Sequence, residues 1–253
     1  MNQIVDFSGD DLIANERDVL GALGVPRGAP VSNRVAEEAR SALAALRELI
    51  APAGVVREVD AATFSDVFDG EGANASDSVV GVVFPRADAL ALFTATVGES
   101  VSERIQELFA TDESVRASML DAAASLAADR TSELLAFRFR EGLEQGGVAV
   151  DGRHVLGYSP GYCGWHVSGQ KRLFDFLDPG RVGITLNDSF LMTPMKSVSG
   201  VLAAGPTSAH DFAARFSYCG ACRDHSCAAR IRGLHVLDGT RPEYRDEPPR
   251  RHL

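Results

Sequence analysis

Several features that define large classes of proteins are missing from this chain of 253 residues. It has no run of eighteen consecutive apolar residues, so no membrane-spanning helix is expected. Residues 1–18 contain no basic region followed by an apolar stretch, so no secretory signal is predicted. Neither a Gly-x-Gly-x-x-Gly motif nor a Walker-type phosphate loop occurs, so nucleotide hydrolysis has no support. By elimination, the sequence predicts a cytoplasmic protein.

Positive charge is also in short supply, because the net charge is −10 and the isoelectric point is about 5.1. Contacts with nucleic-acid phosphates need a basic face, so no nucleic-acid partner is expected. The hydrophobic fraction of 45% is enough for a large core. We therefore expect a folded protein whose partners are not nucleic acids or membranes.

Cysteine is rare, but its four copies are spaced in a way that indicates a metal site. Cys219, Cys222 and Cys227 lie within nine residues of one another, and Cys163 lies upstream. In the cytoplasm such thiols are reduced or metal-bound rather than paired in disulfides. Four thiolates can hold zinc or a [4Fe–4S] cluster, and the spacing does not separate the two. Ordinary thiols, or His225 as the fourth ligand, are the alternatives.

The order of the segments predicts an α+β protein. Ser32 is expected to cap a helix that runs to Ile50, and residues 70–78 have the composition of a loop. The runs Val79–Phe84 and Leu90–Val97 are expected to form a β-hairpin. A long helical region then runs from Val101 to Gly142.

The second half of the chain continues with a short helix at Leu173–Leu177 and strands at Ile184–Phe190 and Ser197–Gly205. Strands that follow helices without strict alternation are typical of α+β folds. We expect one domain over residues 1–240, with the cysteine motif at 219–227 inside it. Residues 241–253 are expected to form a mobile tail, because they are rich in proline and charge.

Two segments contain candidate functional residues. In the first, Pro160 and Gly161 predict a rigid turn, and Tyr158, Tyr162 and Trp165 surround it. Flat rings on a glycine-bearing loop suit stacking on a flat ligand, although composition alone favours the alternative that they anchor the loop to the core.

The second segment, residues 184–200, places polar side chains inside an apolar run. A buried Asp188 or Lys196 would need a partner or a ligand. The alternative is a strand, a turn and a strand whose polar members face water.

In this order, the two segments resemble the activation domain of cobalamin-dependent methionine synthase. The Arg-x-x-Pro-Gly-Tyr segment of that family has its counterpart in Pro160-Gly161-Tyr162. Its Leu-Thr-Glu-Ser-Phe-x-Met-x-Pro segment is similar to residues 186–194, and its Ser-Val-Ser-Gly segment is identical to residues 197–200. The resemblance is specific over residues 158–200.

The resemblance implies an α+β, helmet-like fold around a twisted antiparallel sheet, with S-adenosylmethionine bound beside a corrinoid. It places Tyr162 at the corrinoid-facing turn and gives the remaining expected cofactor-binding residues as Tyr158, Pro160, Gly161, Asp188 and Ser189. Gly157 replaces the family's ligand-binding arginine, and Asp188 replaces its glutamate. These replacements count against S-adenosylmethionine binding, unless Arg153 substitutes after a rearrangement of the loop.

The expected function is that of an accessory protein which docks on a corrinoid protein or cobalamin-dependent methyltransferase and supports reductive reactivation of its cobalt. Stand-alone relatives often end in a three-cysteine motif like the one here, which favours a metal held by Cys163, Cys219, Cys222 and Cys227. An iron–sulfur cluster at that site could deliver the electron. The alternatives are a corrinoid-protein binding module with structural zinc and, last, S-adenosylmethionine-dependent remethylation of cobalt.

Overall fold

The computed structural model of the protein describes residues 2–210. The cysteine motif at 219–227 and the predicted tail at 241–253 therefore lie outside the described residues. The prediction of a single domain over residues 1–240 stays a prediction.

The described chain alternates irregularly between helices and strands. The helices are α1 (Gly9–Leu12), α2 (Glu16–Ala22), α3 (Asn33–Leu49), α4 (Ala61–Asp69), α5 (Val79–Val83), α6 (Glu99–Ala110), α7 (Ser114–Gln145), α8 (Gly169–Leu177) and α9 (Thr207–His210). The strands are β1 (Asn2–Asp6), β2 (Ala53–Val59), β3 (Ala89–Thr96), β4 (Arg153–Tyr158), β5 (Thr185–Leu186), β6 (Met192–Thr193) and β7 (Ser197–Pro206). Short 3-10 helices lie at Phe84–Arg86 and Pro179–Val182.

Five of these strands form one antiparallel sheet in the order β1-β2-β3-β7-β4. In the β4–β7 pair, Arg153 lies opposite Pro206 and Tyr158 lies opposite Val201. At the far end of β3, the N–H of Val97 donates to the carbonyl of Lys196 at 3.1 Å. Strands β5 and β6 form a separate two-stranded sheet. This sheet with its flanking helices confirms the predicted α+β class.

The chain divides into two compact units, each built from three stretches. Unit 1 comprises Met1–Val56, Phe93–Leu135 and Leu177–Ser199, and unit 2 comprises Arg57–Leu92, Ala136–Phe176 and Gly200–Leu253. The buried residues of unit 1 include Leu46, Val55, Phe93, Val101 and Leu120. Those of unit 2 include Phe64, Val79, Trp165, Leu173 and Leu202.

Two helices form where the sequence predicts them. The hydroxyl of Ser32 accepts from the N–H of Val35, and α3 ends at Leu49. This side-chain cap satisfies one of the N–H groups that the first turn of a helix leaves without a partner. Helix α8 ends at Leu177, directly before the Asp178-Pro179-Gly180 sequence.

The predicted hairpin at Val79–Phe84 and Leu90–Val97 is wrong in its first strand. Residues Val79–Val83 form helix α5, because Ser78 caps it through the N–H of Gly81 and three of its valines are buried. A run of β-branched residues this short does not distinguish a buried helix from a buried strand. The second strand is present as β3, which pairs with β2 and β7 instead.

The other boundaries differ in detail. The long helical region breaks between α6 and α7, where Asp112 adopts a left-handed conformation with a φ of 60°. Helix α7 passes through Gly142 and ends before Gly146 and Gly147. The strand predicted at Ile184–Phe190 is reduced to Thr185–Leu186, because the following residues form a turn. None of the helices within residues 2–210 is both long enough and apolar enough to cross a membrane.

Candidate functional site

The first candidate segment is the aromatic loop, residues 159–166, which follows β4 in unit 2. Three backbone hydrogen bonds close it: Tyr162 N–H to the Ser159 carbonyl at 3.2 Å, Gly161 N–H to the Trp165 carbonyl at 2.8 Å, and Trp165 N–H to the Tyr162 carbonyl at 2.9 Å. Gly161, with a φ of 90°, takes a backbone conformation that a side chain would strain. The predicted rigid turn is therefore present.

Trp165 anchors the aromatic loop to the core of unit 2. Its side chain is 1% exposed, and its ring lies edge-on to Phe64 with a centroid distance of 5.6 Å. Phe68 contacts it from α4 at 6.1 Å. A side chain at Gly169 would overlap the indole nitrogen, so a glycine at this position lets the ring pack closely. For Trp165, the structural interpretation of the aromatic residues is correct.

Tyr158 is also buried, with 3% of its surface exposed. Its hydroxyl lies 3.0 Å from Nδ1 of His210, and Nε2 of His210 lies 3.2 Å from the carbonyl oxygen of His154. A carbonyl only accepts, so Nε2 carries a proton, and in a neutral ring Nδ1 would then accept from the hydroxyl of Tyr158. The hydroxyl of Tyr158 is thus bonded within unit 2, and its predicted contact with a cofactor stays a prediction.

Tyr162 differs from both of these residues, because its side chain is 55% exposed at the tip of the turn. Pro160 beside it is buried, whereas Gly161 is exposed. The turn therefore exposes one large aromatic ring, and its backbone is held by the hydrogen bonds of the loop and by the buried Trp165. Such a ring can stack on a flat, partly apolar partner.

Cys163 follows Tyr162 and has a left-handed backbone with a φ of 54°. Its carbonyl accepts two hydrogen bonds, from the N–H of Val79 at 3.0 Å and from the hydroxyl of Ser78 at 3.1 Å. Left-handed backbone costs a non-glycine residue roughly 1–2 kcal/mol. A cysteine held in this conformation, where a glycine would be relaxed, is a candidate for a role of its thiol.

The second candidate segment is the β5–β6 hairpin, which lies in unit 1. Its turn is closed by the side chain of Asn187, whose Oδ1 accepts from the N–H groups of Ser189 and Leu191, both at 2.9 Å. Asp188 and Ser189 are exposed at the tip. From the sequence, Asp188 would need a partner or a ligand if it were buried. Because its side chain is exposed to water, it needs neither.

Lys196, in contrast, is half-buried and has two partners on α7. Its ammonium lies 2.7 Å from Oδ1 of Asp121 and 2.9 Å from the hydroxyl of Ser125, and its side chain is 13% exposed. Asp121 and Ser125 lie one turn apart on α7 and so share a face. Sequence reasoning missed Asp121 and Ser125. Their spacing shows that they share a face of α7, but it does not show that Lys196 contacts that face.

The predicted metal site is described at only one of its four cysteines. Cys163 lies in the aromatic loop, whereas Cys219, Cys222 and Cys227 lie beyond residue 210, as does His225. Among residues 2–210, no three histidine, cysteine or acidic side chains come together as metal ligands would. The proposed ligand set is therefore not tested.

Arg153 is bonded elsewhere in this structure, and its substitution for the family's arginine after a rearrangement of the loop stays a prediction. Arg153 lies at the opposite end of β4 from the aromatic loop, and its Nε donates to Oδ2 of Asp88 at 2.6 Å. A second donor of its guanidinium bonds the carbonyl of Ala149 at 2.8 Å.

The sheet, its flanking helices and the glycine-bearing aromatic loop define the class of this protein. The family model described as "Vitamin B12 dependent methionine synthase, activation domain" matches residues 71–218, which is more than half of the chain. The chain belongs to this family, as the resemblance predicted.

A solved structure has the same fold. The "Crystal Structure of the MetH Reactivation Domain bound to AdoHcy" aligns with a TM-score of 0.57 and 17% sequence identity, over 97% of this chain and 91% of that one. No curated protein matches the chain.

Proposed function

We propose that this protein docks on a separate corrinoid protein and supports the reductive reactivation of its cobalt. Membership of the activation-domain family supports a corrinoid protein as the partner. The observation that carries the docking site is Tyr162, an exposed ring on a rigid turn. Aromatic anchors of this kind contribute much of the free energy of protein interfaces.

Replacement of Tyr162 tests the docking site. We expect Tyr162→Ala to weaken binding to a purified corrinoid protein in its Co(II) state by about tenfold or more, since the loss of an aromatic hot spot typically costs about 2 kcal/mol. Binding is measured by titration, with the visible spectrum of the corrinoid as the signal. Free cob(II)alamin forms a second arm, which shows whether the ring recognises the corrinoid or the protein around it.

Phe109→Ala is the matched control, because this ring is 49% exposed on α6 and lies outside both candidate segments. It should bind as the wild type does. Equal affinity of Tyr162→Ala and the wild type would refute the assignment of the docking site.

We further propose that Cys163, Cys219, Cys222 and Cys227 hold an iron–sulfur cluster, whose chemistry is one-electron transfer at low potential. Cobalt(II) needs one electron to become Co(I), and Cys163 directly follows the proposed docking residue. The left-handed backbone of Cys163 supports a requirement for the thiol, because glycine would serve a turn better. Structural zinc on the same ligands is the alternative.

The cluster is tested by determining iron, zinc and sulfide in anaerobically purified wild type, Cys163→Ser and Cys163→Gly. We expect iron and sulfide in the wild type and their loss in both variants. Zinc without sulfide would establish the structural alternative. Full iron and sulfide content in both variants would exclude Cys163 as a ligand.

The two variants also separate the thiol from the backbone. Cys163→Gly removes the strain of the left-handed conformation and should stabilise the metal-free protein by roughly 1 kcal/mol, whereas Cys163→Ser should not. Metal loss in both variants, with a gain in stability in Cys163→Gly alone, would show that the thiol, rather than the turn, holds the metal.

S-adenosylmethionine-dependent remethylation of cobalt is the third candidate. It is favoured by the solved structure with the same fold, which is a reactivation domain bound to AdoHcy. Gly157, paired with Leu202 in the sheet, offers no side chain to clamp the carboxylate of such a ligand. Calorimetry with S-adenosylhomocysteine decides this point, and the absence of heat would remove this candidate.

A further inference from the structure

A cleft in unit 1 lies apart in sequence from the aromatic loop and the β5–β6 hairpin. One wall is formed by residues 12–27, which include α2, and the other by one face of α7. The α7 residues that line the cleft are Leu126, Asp129, Arg130 and Glu133, at the spacing of a single helical face. The volume of about 750 Å³ is in the range of small-molecule sites.

Three half-buried apolar side chains, those of Ile13, Val25 and Leu126, line the cleft beside the buried Leu12 and form its apolar floor, while the rest of the lining is more polar. Water against these side chains is released when an apolar group covers them, which is worth about 25 cal/mol per Å². The floor therefore suits an aliphatic group.

One charged group in the wall lacks a counter-ion. Arg17 is half-buried, and one nitrogen of its guanidinium donates to the carbonyl of Ala29 at 3.1 Å. It forms no ion pair with any residue in the described part of the chain. A guanidinium has five donors in a planar fork that fits a carboxylate. Arg17 thus offers a site for one carboxylate.

The remaining charges on the lining argue against a highly charged ligand. Three carboxylates, those of Asp18, Asp129 and Glu133, balance the three arginines Arg17, Arg27 and Arg130. A polyanion would meet repulsion from the carboxylates, whereas a dipolar molecule can satisfy both signs at once.

We propose that the cleft binds a zwitterionic α-amino acid with an aliphatic side chain. Its carboxylate pairs with Arg17, its ammonium group faces the carboxylates of the rim, and its side chain covers the apolar floor. The wall that carries Arg17 precedes residues 71–218, which the family model matches, whereas the α7 wall lies within that match. This proposal does not depend on the corrinoid function above.

The test is a titration of the full chain with L-leucine, followed by calorimetry or by NMR. L-Leucinamide, which lacks the carboxylate, and 4-methylpentanoate, which lacks the ammonium group, are titrated in parallel. We expect L-leucine to bind with a Kd of about 1 mM or tighter and each analogue to bind roughly tenfold more weakly. Arg17→Gln should weaken L-leucine binding by about tenfold, since it removes a charge-assisted contact.

A second variant, which places a side chain in the cleft, tests the site independently in case Arg17→Gln does not fold. Gly21 lines the cleft on α2, and a β-carbon there would meet no atom within 4 Å, so we expect the larger side chain of Gly21→Leu to project into the cleft. Gly142→Leu is the matched control on α7, because it is equally unobstructed and lies outside the lining. Leucine binding should be lost in Gly21→Leu and retained in Gly142→Leu.

Three results would overturn the proposal. These are no binding of L-leucine to the wild type at about 10 mM, unchanged binding in Gly21→Leu, or equal binding of L-leucine and both analogues.

Discussion

At the scale of single residues, the aromatic loop contains one buried ring, Trp165, and one exposed ring, Tyr162. The ring of Trp165 fixes the loop to α4. Cys163 adds a strained backbone between them. The sequence raised stacking and anchoring as alternatives for the whole group, and the structure assigns anchoring to Trp165 and leaves stacking to Tyr162.

The anchor makes a testable prediction at Gly169. In Gly169→Ala, the new methyl group would overlap the buried indole of Trp165, and such overpacking typically costs about 1–3 kcal/mol. Chemical denaturation measures the change in the free energy of unfolding. Gly142→Ala is the control, because its methyl group meets nothing and should stabilise α7 by roughly 0.5–1 kcal/mol. Equal effects of the two changes would contradict the close packing.

At the scale of elements, α4 supports the loop by carrying Phe64 and Phe68, and Asp60 caps this helix. Oδ1 of Asp60 accepts from the backbone N–H of Thr63 at 2.7 Å, and this bond is the main cause that lowers the pKa of Asp60 below its ordinary value of 3.8. The ionised carboxylate accepts this bond more strongly than the protonated acid does. Integrity of the cap therefore depends on pH.

The sign of this dependence follows from the lowered pKa. The cap stabilises the fold fully above the ordinary pKa, and this stabilisation is lost as the pH falls through the lower pKa of the folded state. Asp60→Asn keeps a good cap without a titrating group. We expect the wild type to lose stability relative to Asp60→Asn below about pH 4, measured by thermal unfolding across pH. Parallel curves for the two proteins would refute the prediction.

A second element-scale contact joins α7 to the residue before β7 through Asp121 and Lys196. Because Lys196 is largely buried, we expect a coupling free energy of about 1 kcal/mol between the two side chains. A double-mutant cycle with Asp121→Ala and Lys196→Met measures it. The exposed pair Arg104–Glu107, at 3.0 Å, is the control and should couple by about 0.3 kcal/mol. A coupling no larger than that of the control would show that burial adds nothing.

At the scale of the whole molecule, the helices with strong local signals formed where predicted. Ser32 caps α3 as expected, and α8 ends at the Asp178-Pro179-Gly180 sequence. Helix α5 was missed, because five β-branched and small residues bury equally well in a strand or a helix. The cap that Ser78 gives to Gly81 is local, but the hydroxyl of Ser78 also donates to the distant carbonyl of Cys163, and the burial of the valines in unit 2 depends on contacts distant in sequence.

The candidate site shows the same division. The turn at Pro160 and Gly161 could be predicted because proline and glycine restrict the backbone locally. The partners of Lys196 could not be predicted, since Asp121 lies about seventy residues away in the sequence. The cleft around Arg17 could not be predicted from the sequence either, because it forms only where residues 12–27 contact α7.

The sequence by itself determined the family, the α+β class, the rigid turn and most of the long elements, because these depend on local backbone preferences and on motifs of adjacent residues. Only the tertiary structure decided which ring of the aromatic loop is exposed, which side chains Lys196 contacts, and where the apolar floor meets an arginine that forms no ion pair within residues 2–210. Exposure and pairing depend on residues brought together from distant parts of the chain, and a linear pattern does not contain that information.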